Sequence, residues 1–573
     1  METDEKNYLS KIKKYLLKIK VAYKSLSPEK VLIVWSLFAL SIVLMFSALI
    51  IVNNRFVKVI PKLGGSISEG MIGTPRFINP VLATSDQDNS LTALIFAGLT
   101  KRDESGNIIL DMAESIDESD DKLNYDIVIK KDAQFHDGVK LTADDVIYTI
   151  SLIQNSLIKS PHRLEWEGVT LEKKNDNEIL FSLKKPYPLF MNVLTIGILP
   201  KHIWKNLTEE QFSLSEYNIK AIGSGPFMIS SIQNNSGIPT SFKLVSNKYY
   251  TLGRPYLDEI DIRTYQNEKY LMQALKDGEV SRIYGISPEK FETLKISTST
   301  IKTSLLPKTI TIFFNSNKVE ALSDKKIRQA LNMAINKDEI VQTVLKGYGK
   351  TVDGPFPFDE GDVSNVYNVD QAKELLSESK YSKKASSTLS LTLSTVNTDE
   401  LKKVADMIKT DWEKIGVTTT ILVYEPSDLN QSVIKDRDYQ TLLYGTLTET
   451  PSDLYAFWHS SQRNYPGLNI SNYVSNKLDT ELETLKNDND PLIRIDAYDK
   501  AKEEFKDEVP GIFLYAPDLI YIANDKVVTP LPKFSLDNSS RFDLVEKWYA
   551  RTEKVWPKTY YRPLIDLLEK IIH

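Results

Sequence analysis

Cysteine is absent from the 573-residue chain. That removes disulfides, thiol catalysis, thiolate metal sites and a lipid-carrying N-terminal cysteine together, so any part on the oxidising side of a membrane must hold through its core alone. Histidine is scarce. His136, His162, His202, His459 and His573 are the five, and none stands beside another at metal-ligand spacing. A sustained basic stripe is also missing: the 71 basic and 77 acidic residues are interspersed and sum to a formal charge of −6, which argues against nucleic acid as a partner. No Gly-x-Ser-x-Gly elbow, phosphate-cradling glycine loop or repeat of solenoid length occurs. The sequence therefore points away from catalysis and calls for no cofactor and no metal. His136 and Asp137 read as turn-fixing side chains, and Asp144-Asp145 as first-turn carboxylates favoured by a helix dipole.

What is present begins with 42% hydrophobic and 26% charged residues, the balance of a folded protein. The length exceeds one core, so two to four globular units are expected. From Val31 to Val52 no residue is charged, and at about 1.5 Å per helical residue that run reaches about 30 Å, enough to cross a bilayer core. Before it lie Lys11, Lys13, Lys14, Lys18, Lys20, Lys24 and Lys30; after it only Arg55, Lys58 and Lys62 are near. The asymmetry predicts residues 1–30 in the cytoplasm and everything beyond about residue 53 exported. Ile50-Ile51-Val52 runs straight into Asn53-Asn54-Arg55 without a small-x-small site, so an uncleaved anchor over 31–52 is expected, followed by a tether over 53–62. Tyr8 to Leu26 carries apolar residues at helical spacing among lysines, which suits either the inner leaflet or a solvated helix.

The exported part alternates strand and helix patterns, the mark of an α/β fold with a largely parallel sheet. Strands are expected at Ser66–Glu69, Tyr125–Ile129, Glu178–Leu183, Tyr256–Thr264, Thr309–Phe314, Leu389–Ser394, Val417–Tyr424, Gln440–Tyr444 and Pro510–Ile522. Helices are expected at Asn89–Leu99, Thr142–Ile153, Glu268–Asp277, Asp324–Asn336, Glu400–Ile415, Ser427–Ile434 and Arg562–Ile572. Thr142 with Asp145 three residues on forms a capping-box pattern. Within Tyr439–Gln462 an apolar run delivers a strand end into a polar, aromatic-lined loop, the place where α/β folds meet ligands.

The order of these segments resembles the solute-binding proteins of peptide and nickel ABC transporters, over about Gly64 to Val528. Ile78-Asn79-Pro80 matches the family's early Leu-Asn-Pro element, and Phe96-Ala97-Gly98-Leu99 stands at its Tyr-Glu-x-Leu helix end. Phe135-His136-Asp137-Gly138 with Thr142-Ala143-Asp144-Asp145-Val146 matches its signature turn and helix start. Gly223-Ser224-Gly225-Pro226-Phe227, Phe314-Asn315, Ile327-Arg328-Gln329-Ala330-Leu331, Ala334-Ile335-Asn336-Lys337, Val369 to Leu376 and Pro451 to Gln462 complete the series.

The resemblance implies a two-lobed α/β protein enclosing its ligand at a hinge, preceded here by a single transmembrane helix. Lobe one would join residues 62–308 to 510–573, with an extra subdomain over 91–205; lobe two would be 309–509, with crossovers near 308–311 and 509–514. It implies a monomer that hands a peptide or other small solute to an ABC permease. The alternative is a tethered peptide sensor or cell-envelope folding helper. Family peptide binders place an aspartate four residues before the loop proline to pair the ligand's amine; here that position is Leu447. Glu449 or Asp453 is the candidate replacement, Tyr444, Gly445 and Thr446 fit the strand end that bonds a ligand backbone, and Tyr455, Trp458 and His459 either line a pocket or pack into a core. Asn79, Phe314 and Asn315 complete the candidate set.

Overall fold

In a computed structural model the described residues are 13–555, apart from 19, 23, 186, 188–189, 292–299, 359–366, 381–387, 426–427, 449, 466, 489, 534 and 536. The uncharged run forms the middle of one helix, Pro28–Phe56, long and apolar enough to cross a membrane. Two of its serines are satisfied within the helix: Ser36 Oγ donates to the Leu32 carbonyl at 2.9 Å and Ser41 Oγ to that of Phe38 at 2.8 Å. Strand β1 (Lys58–Lys62) follows. The second half of the expected tether is thus a strand.

The chain then enters a body spanning Leu63–Ala550. Strand β2 (Ser66–Ile72) opens it, and β3 (Thr100–Arg102) and β4 (Ile108–Leu110) form a hairpin. Next, β5 (Ala113–Glu118), β6 (Asn124–Ile129), β7 (Thr170–Asn175) and β8 (Glu178–Ser182) make a separate antiparallel sheet in the order β5-β6-β8-β7. β9 (Phe227–Asn235), β10 (Ile238–Ser246), β11 (Glu259–Tyr265), β12 (Arg282–Tyr284) and β13 (Thr300–Leu305) return to β2. β14 (Lys308–Phe314), β15 (Gly349–Thr351), β16 (Ser390–Val396), β17 (Thr418–Tyr424) and β18 (Thr441–Leu447) build the second lobe, and β19 (Gly511–Ala523) runs back through both. Last, β20 (Arg551–Val555) pairs antiparallel with β1, so β20 groups with the N-terminal segment that ends at Lys62, whereas the expectation had placed it in lobe one.

The main sheet reads β17-β16-β18-β14-β19-β12-β2-β11-β10-β9. β19 joins the lobes: Gly511–Tyr515 pairs with β14, Asp518–Ala523 with β13, and β15 covers Tyr515–Pro517 between them. Pro517, lacking an N–H, sits where the strand changes partners. Separate buried cores flank this point, one including Ile67, Phe135, Phe242 and Trp548, the other Ile312, Trp412, Leu443 and Trp458.

Lobe one also holds a buried charge network. Glu69 on β2 and Arg541 are both 0% exposed, and Glu69 Oε1 accepts from Arg541 Nε at 2.9 Å and Nη2 at 2.7 Å. Glu69 Oε2 accepts from the Tyr521 hydroxyl at 2.6 Å. That hydroxyl also receives Arg282 Nη1 at 3.3 Å, and Arg282 grips Asp525 with two 2.7 Å bonds.

Local expectations hold where caps are strong. Thr142 opens the helix Ala143–Gln154, its N–H donating to Asp145 Oδ2 at 2.9 Å. The helix expected over Asn89–Leu99 instead runs Asp86–Ile95, because Ser85 Oγ accepts from the Asp88 N–H at 3.1 Å and starts it earlier. It stops at Ile95 because the chain there lies under Gly223 and Gly225, where a Cβ would fall 2.1 Å from the Ile95 oxygen and 2.6 Å from its carbonyl carbon. The helix expected over Asp324–Asn336 runs Lys325–Met333, and a second helix, Lys337–Val344, follows it with Asn336 as its cap. Leu429–Ile434 forms a π-type turn; Ser427 and the helix expected over Arg562–Ile572 lie outside the described residues. In the signature turn Asp137 Oδ1 accepts from Val139 N–H at 3.1 Å, with Gly138 at φ +86°. His136 reaches further: Nδ1 accepts from Gly223 N–H and Nε2 donates to the Gly225 carbonyl, both at 3.2 Å.

Glu69→Ala leaves Arg541 buried without its carboxylate, and the expected loss is about 3–5 kcal/mol of lobe-one stability in a urea titration; a loss near zero would show that the pair does not hold the lobe. Burial pushes the His136 imidazole down to about 4, against the opposing Gly225 carbonyl and Asp137. Between the unperturbed value of about 6.5 and about 4 the unfolded chain takes up a proton that the folded chain refuses. Stability is therefore full above about pH 6.5 and falls on acidification toward pH 4. Thermal melts of His136→Gln are expected to flatten that acid slope.

Candidate ligand-binding cleft

The registers aim both lobes at one gap. β2 and β11 are parallel, with Tyr265 beside Ile72, and β12 is parallel to β2 and antiparallel to β19, Tyr284 lying opposite Tyr521. Moving toward the C-terminal ends of these strands therefore means moving down β19 toward lobe two. On the other side β16 is parallel to β17 and β18, and β18 runs antiparallel to β14 with Leu447 opposite Lys308. Their C-terminal ends consequently point toward lobe one. Ligands of α/β folds bind outside the carboxyl ends of parallel strands, and here two such edges face each other across the β19 crossing.

Two contacts cross this gap at its margins, and a third braces lobe two beside it. Glu289, in the turn Pro288–Phe291 after β12, pairs with Lys403 of the helix Asp399–Lys414, which holds the Glu289 carboxyl below the usual range. Tyr348 of lobe two packs on the lobe-one cluster of Leu271, Ile283 and Ile520. The buried Tyr515 hydroxyl donates to Glu400 Oε1 at 2.7 Å.

β18 offers the gap an open edge. Its pairing with β16 ends at Leu443, whereas its pairing with β14 continues to Leu447. The Leu443 carbonyl faces β16, accepting from Thr395 Oγ1 at 3.1 Å, and the Thr448 N–H faces the β14 side, donating to the Pro307 carbonyl at 2.8 Å. By alternation the N–H and C=O of Gly445 and Leu447 point to the unpaired side. Among the described residues that edge has no strand partner, so an extended chain can add there. The missing side chain of Gly445 makes room for Lys308, which crosses the sheet face there: a Cβ would lie 2.6 Å from Lys308 Cε.

The twelve sequence-selected residues separate accordingly. Tyr444, Gly445, Thr446 and Leu447 form this strand end, and Leu447 is 57% exposed. Glu449 lies outside the described residues. Asp453 Oδ2 accepts from the Thr450 N–H at 2.8 Å, a cap on its own helical turn. Trp458 is core: its ring centroid lies 5.6, 5.1 and 5.4 Å from those of Phe313, Phe505 and Phe513. Tyr455 stacks on His459 at 4.3 Å with the Lys486 ammonium 4.0 Å from its centroid. His459 Nδ1 meets Ser461 Oγ at 2.8 Å, and its Nε2 lies 3.3 Å from Glu483 Oε1. These three support the loop from behind.

Phe314 and Asn315 sit at the other end of β14. Phe314 pairs with Thr441, six residues from the Lys308–Leu447 level, or roughly 20 Å at about 3.4 Å per residue. The Asn315 amide donates to the Arg437 carbonyl at 2.9 Å. Asn79, wholly buried in lobe one, donates to Asn218 Oδ1 at 3.0 Å and accepts from the Val81 N–H at 2.9 Å. Sequence reasoning passed over Glu289, Lys403 and Tyr348. Nothing local to them signals a contact between residues so distant in the chain.

The family model for bacterial extracellular solute-binding proteins, family 5 (middle), matches residues 107–466. The chain is 31% identical over 513 residues to the oligopeptide-binding protein AppA of Bacillus subtilis (strain 168), covering 85% of this chain and 92% of that protein. It is 24% identical over 506 residues to the dipeptide-binding protein of Escherichia coli (strain K12), covering 82% and 93%. Among solved structures, B. subtilis AppA in complex with a nonapeptide superposes with a TM-score of 0.65 at 29% identity, covering 86% of this chain and 100% of that one. The ABC transporter substrate-binding protein CtaP of Listeria monocytogenes does so with 0.74 at 25%, covering 85% and 100%.

The margin contact is directly testable because the chain has no native cysteine. In the double variant Glu289→Cys/Lys403→Cys a short bis-maleimide is expected to join the lobes and shift mobility on a denaturing gel, with neither single variant shifting. No shift in the double variant would remove the contact.

Proposed function

Since this chain belongs to the bacterial extracellular solute-binding proteins, family 5, the peptide/nickel class of ABC-transporter receptors and not a family of enzymes, we propose that it captures extended peptides and delivers them to an ABC permease for import. The observation that carries this reading is the open edge of β18. Gly445 and Leu447 present main-chain donors and acceptors to the gap between the lobes, and a peptide is the solute whose own backbone repeats that pattern. The names of the relatives agree, being oligopeptide- and dipeptide-binding proteins.

Recognition runs through the peptide's backbone rather than its free amine. Leu447 stands where an acidic anchor would be, Lys308 lies beside it over Gly445, and the Asp453 carboxylate is engaged as a cap. Lobe one, residues 63–308 with 510–550, and lobe two, residues 309–509, close on the ligand as a monomer, and the closed form docks on the permease. The helix Pro28–Phe56 holds the receptor at the membrane with residues 1–30 inside the cell.

Titration calorimetry of the full chain with short peptides tests this. Acetylating the peptide N-terminus is expected to change Kd by less than about threefold. N-methylating a central amide, which removes a hydrogen bond of about 1 kcal/mol net, is expected to weaken binding about fivefold. Loss of binding on acetylation would restore an amine anchor, and a sugar or metal chelate released from the purified protein in native mass spectrometry would overturn the peptide reading.

A further inference from the structure

A charge at the border of the gap has no counterpart in the lobe that carries it. Lys308 opens β14 opposite Leu447 of β18. Directly opposed residues share a face of the sheet, as do residues two apart in one strand, so Lys308, Leu447 and Gly445 lie on the same face. The Lys308 side chain runs diagonally across it: its Cγ lies 3.6 Å and its Cε 2.6 Å from the point a Gly445 Cβ would occupy. The stem therefore closes on β18 as it lengthens, and the ammonium, one bond further on, stands beside Gly445. A side chain at that position would displace it.

No carboxylate meets this ammonium. Lys318, Lys326 and Lys337 of the same lobe hold Asp438, Glu378 and Asp353 at 2.8, 2.6 and 2.9 Å, whereas among the described residues Lys308 makes no ion pair or side-chain hydrogen bond. It is only partly exposed. Its neighbour across the strands is Leu447, and the Asp453 carboxylate caps its own turn. A partly desolvated ammonium without an anion is a place where an incoming carboxylate gains more than it would in open water.

A peptide added along Gly445 and Leu447 continues the pleat about 4.8 Å from β18. Its residue opposite Gly445 projects a side chain onto the face that Lys308 occupies, and Gly445, having none, leaves nothing between the two. We propose that Lys308 reads an acidic side chain there, so that the receptor selects peptides carrying Asp or Glu at the residue that pairs with Gly445. This rests on the reading of the β18 edge as the peptide's site, and it adds the class of peptide that the site takes. Leu447 offers a cation nothing, and Lys308 offers an anion a partner.

The full-length receptor in detergent micelles is titrated calorimetrically with pentapeptides that are alanine throughout except for one Glu, Gln or Lys, placed in turn at each of the three central positions. At one or more of these positions Glu is expected to bind about tenfold tighter than Gln, the worth of one charge-assisted hydrogen bond, and Lys more weakly than Gln. In Lys308→Met the ratio of Glu to Gln affinity is expected to fall within about twofold, and in Lys308→Glu the preference is expected to pass to Lys. Equal affinities for Glu and Gln at all three positions in the unaltered receptor would overturn the proposal and leave peptide capture standing. A tenfold ratio that survives Lys308→Met would assign the preference to another cation and overturn it as well. Binding of none of the peptides would overturn the reading of the β18 edge and the proposal together.

Discussion

A carboxylate with no exposed surface is intolerable in a protein interior unless another charge meets it with good geometry, and Glu69 on β2 is such a carboxylate. Its partner, Arg541, lies 472 residues away in the chain. Tyr521 of β19 hydrogen-bonds the second Glu69 oxygen and passes the network to Arg282 of β12, which holds Asp525. Three strands and the chain beyond them must therefore be in register before any one of these groups is satisfied. That requirement ties β2 to chain that follows it by more than 400 residues. The Arg541 guanidinium also lies 3.5 Å from the ring centroid of Tyr284, the last residue of β12, so the network reaches the edge of the cleft.

From that rigid side β19 carries the connection into lobe two. A two-lobed receptor closes when ligand contacts favour the closed state over the open one. The Glu289–Lys403 pair spans the gap, but its side chains are 58% and 49% exposed, and such pairs contribute about 0–1 kcal/mol. A pair of that strength would bias closure only weakly. Arg328 shows the opposite use of a charge. Its guanidinium, only 8% exposed, donates to the carbonyls of Glu508 and Val509 and fixes the end of the helix that leads into β19. Val509 itself is held there at φ +47°, a conformation that a β-branched residue adopts only under constraint.

Much of this was legible in the sequence where the determinants are local. The Thr142 cap, the β14 strand and the order of segments that resembles the solute-binding family could be read from neighbouring residues, as could the length of the uncharged helix. What could not be read depends on distant partners. Lys58–Lys62 looks like a tether because nothing nearby shows that Arg551–Val555 returns to pair with it. Trp458 looks equally suited to a pocket or a core until Phe313, Phe505 and Phe513 are found around it. Of the candidate site, the strand end Tyr444–Leu447 was visible as an apolar run reaching a turn; the unpaired side that gives it meaning was not, because it depends on where β16 stops.

The separation of Glu69 from Arg541 also sets an order in time. At a synthesis rate of about 5–20 residues per second, Glu69 precedes its partner by roughly 25–90 s. Lobe two, whose chain lies wholly between them, can assemble during that interval, whereas lobe one cannot be completed. Glu69 must then be tolerated without its partner while the rest of the chain arrives, and the last strand among the described residues, Arg551–Val555, returns the chain to Lys58–Lys62, the strand that preceded Glu69.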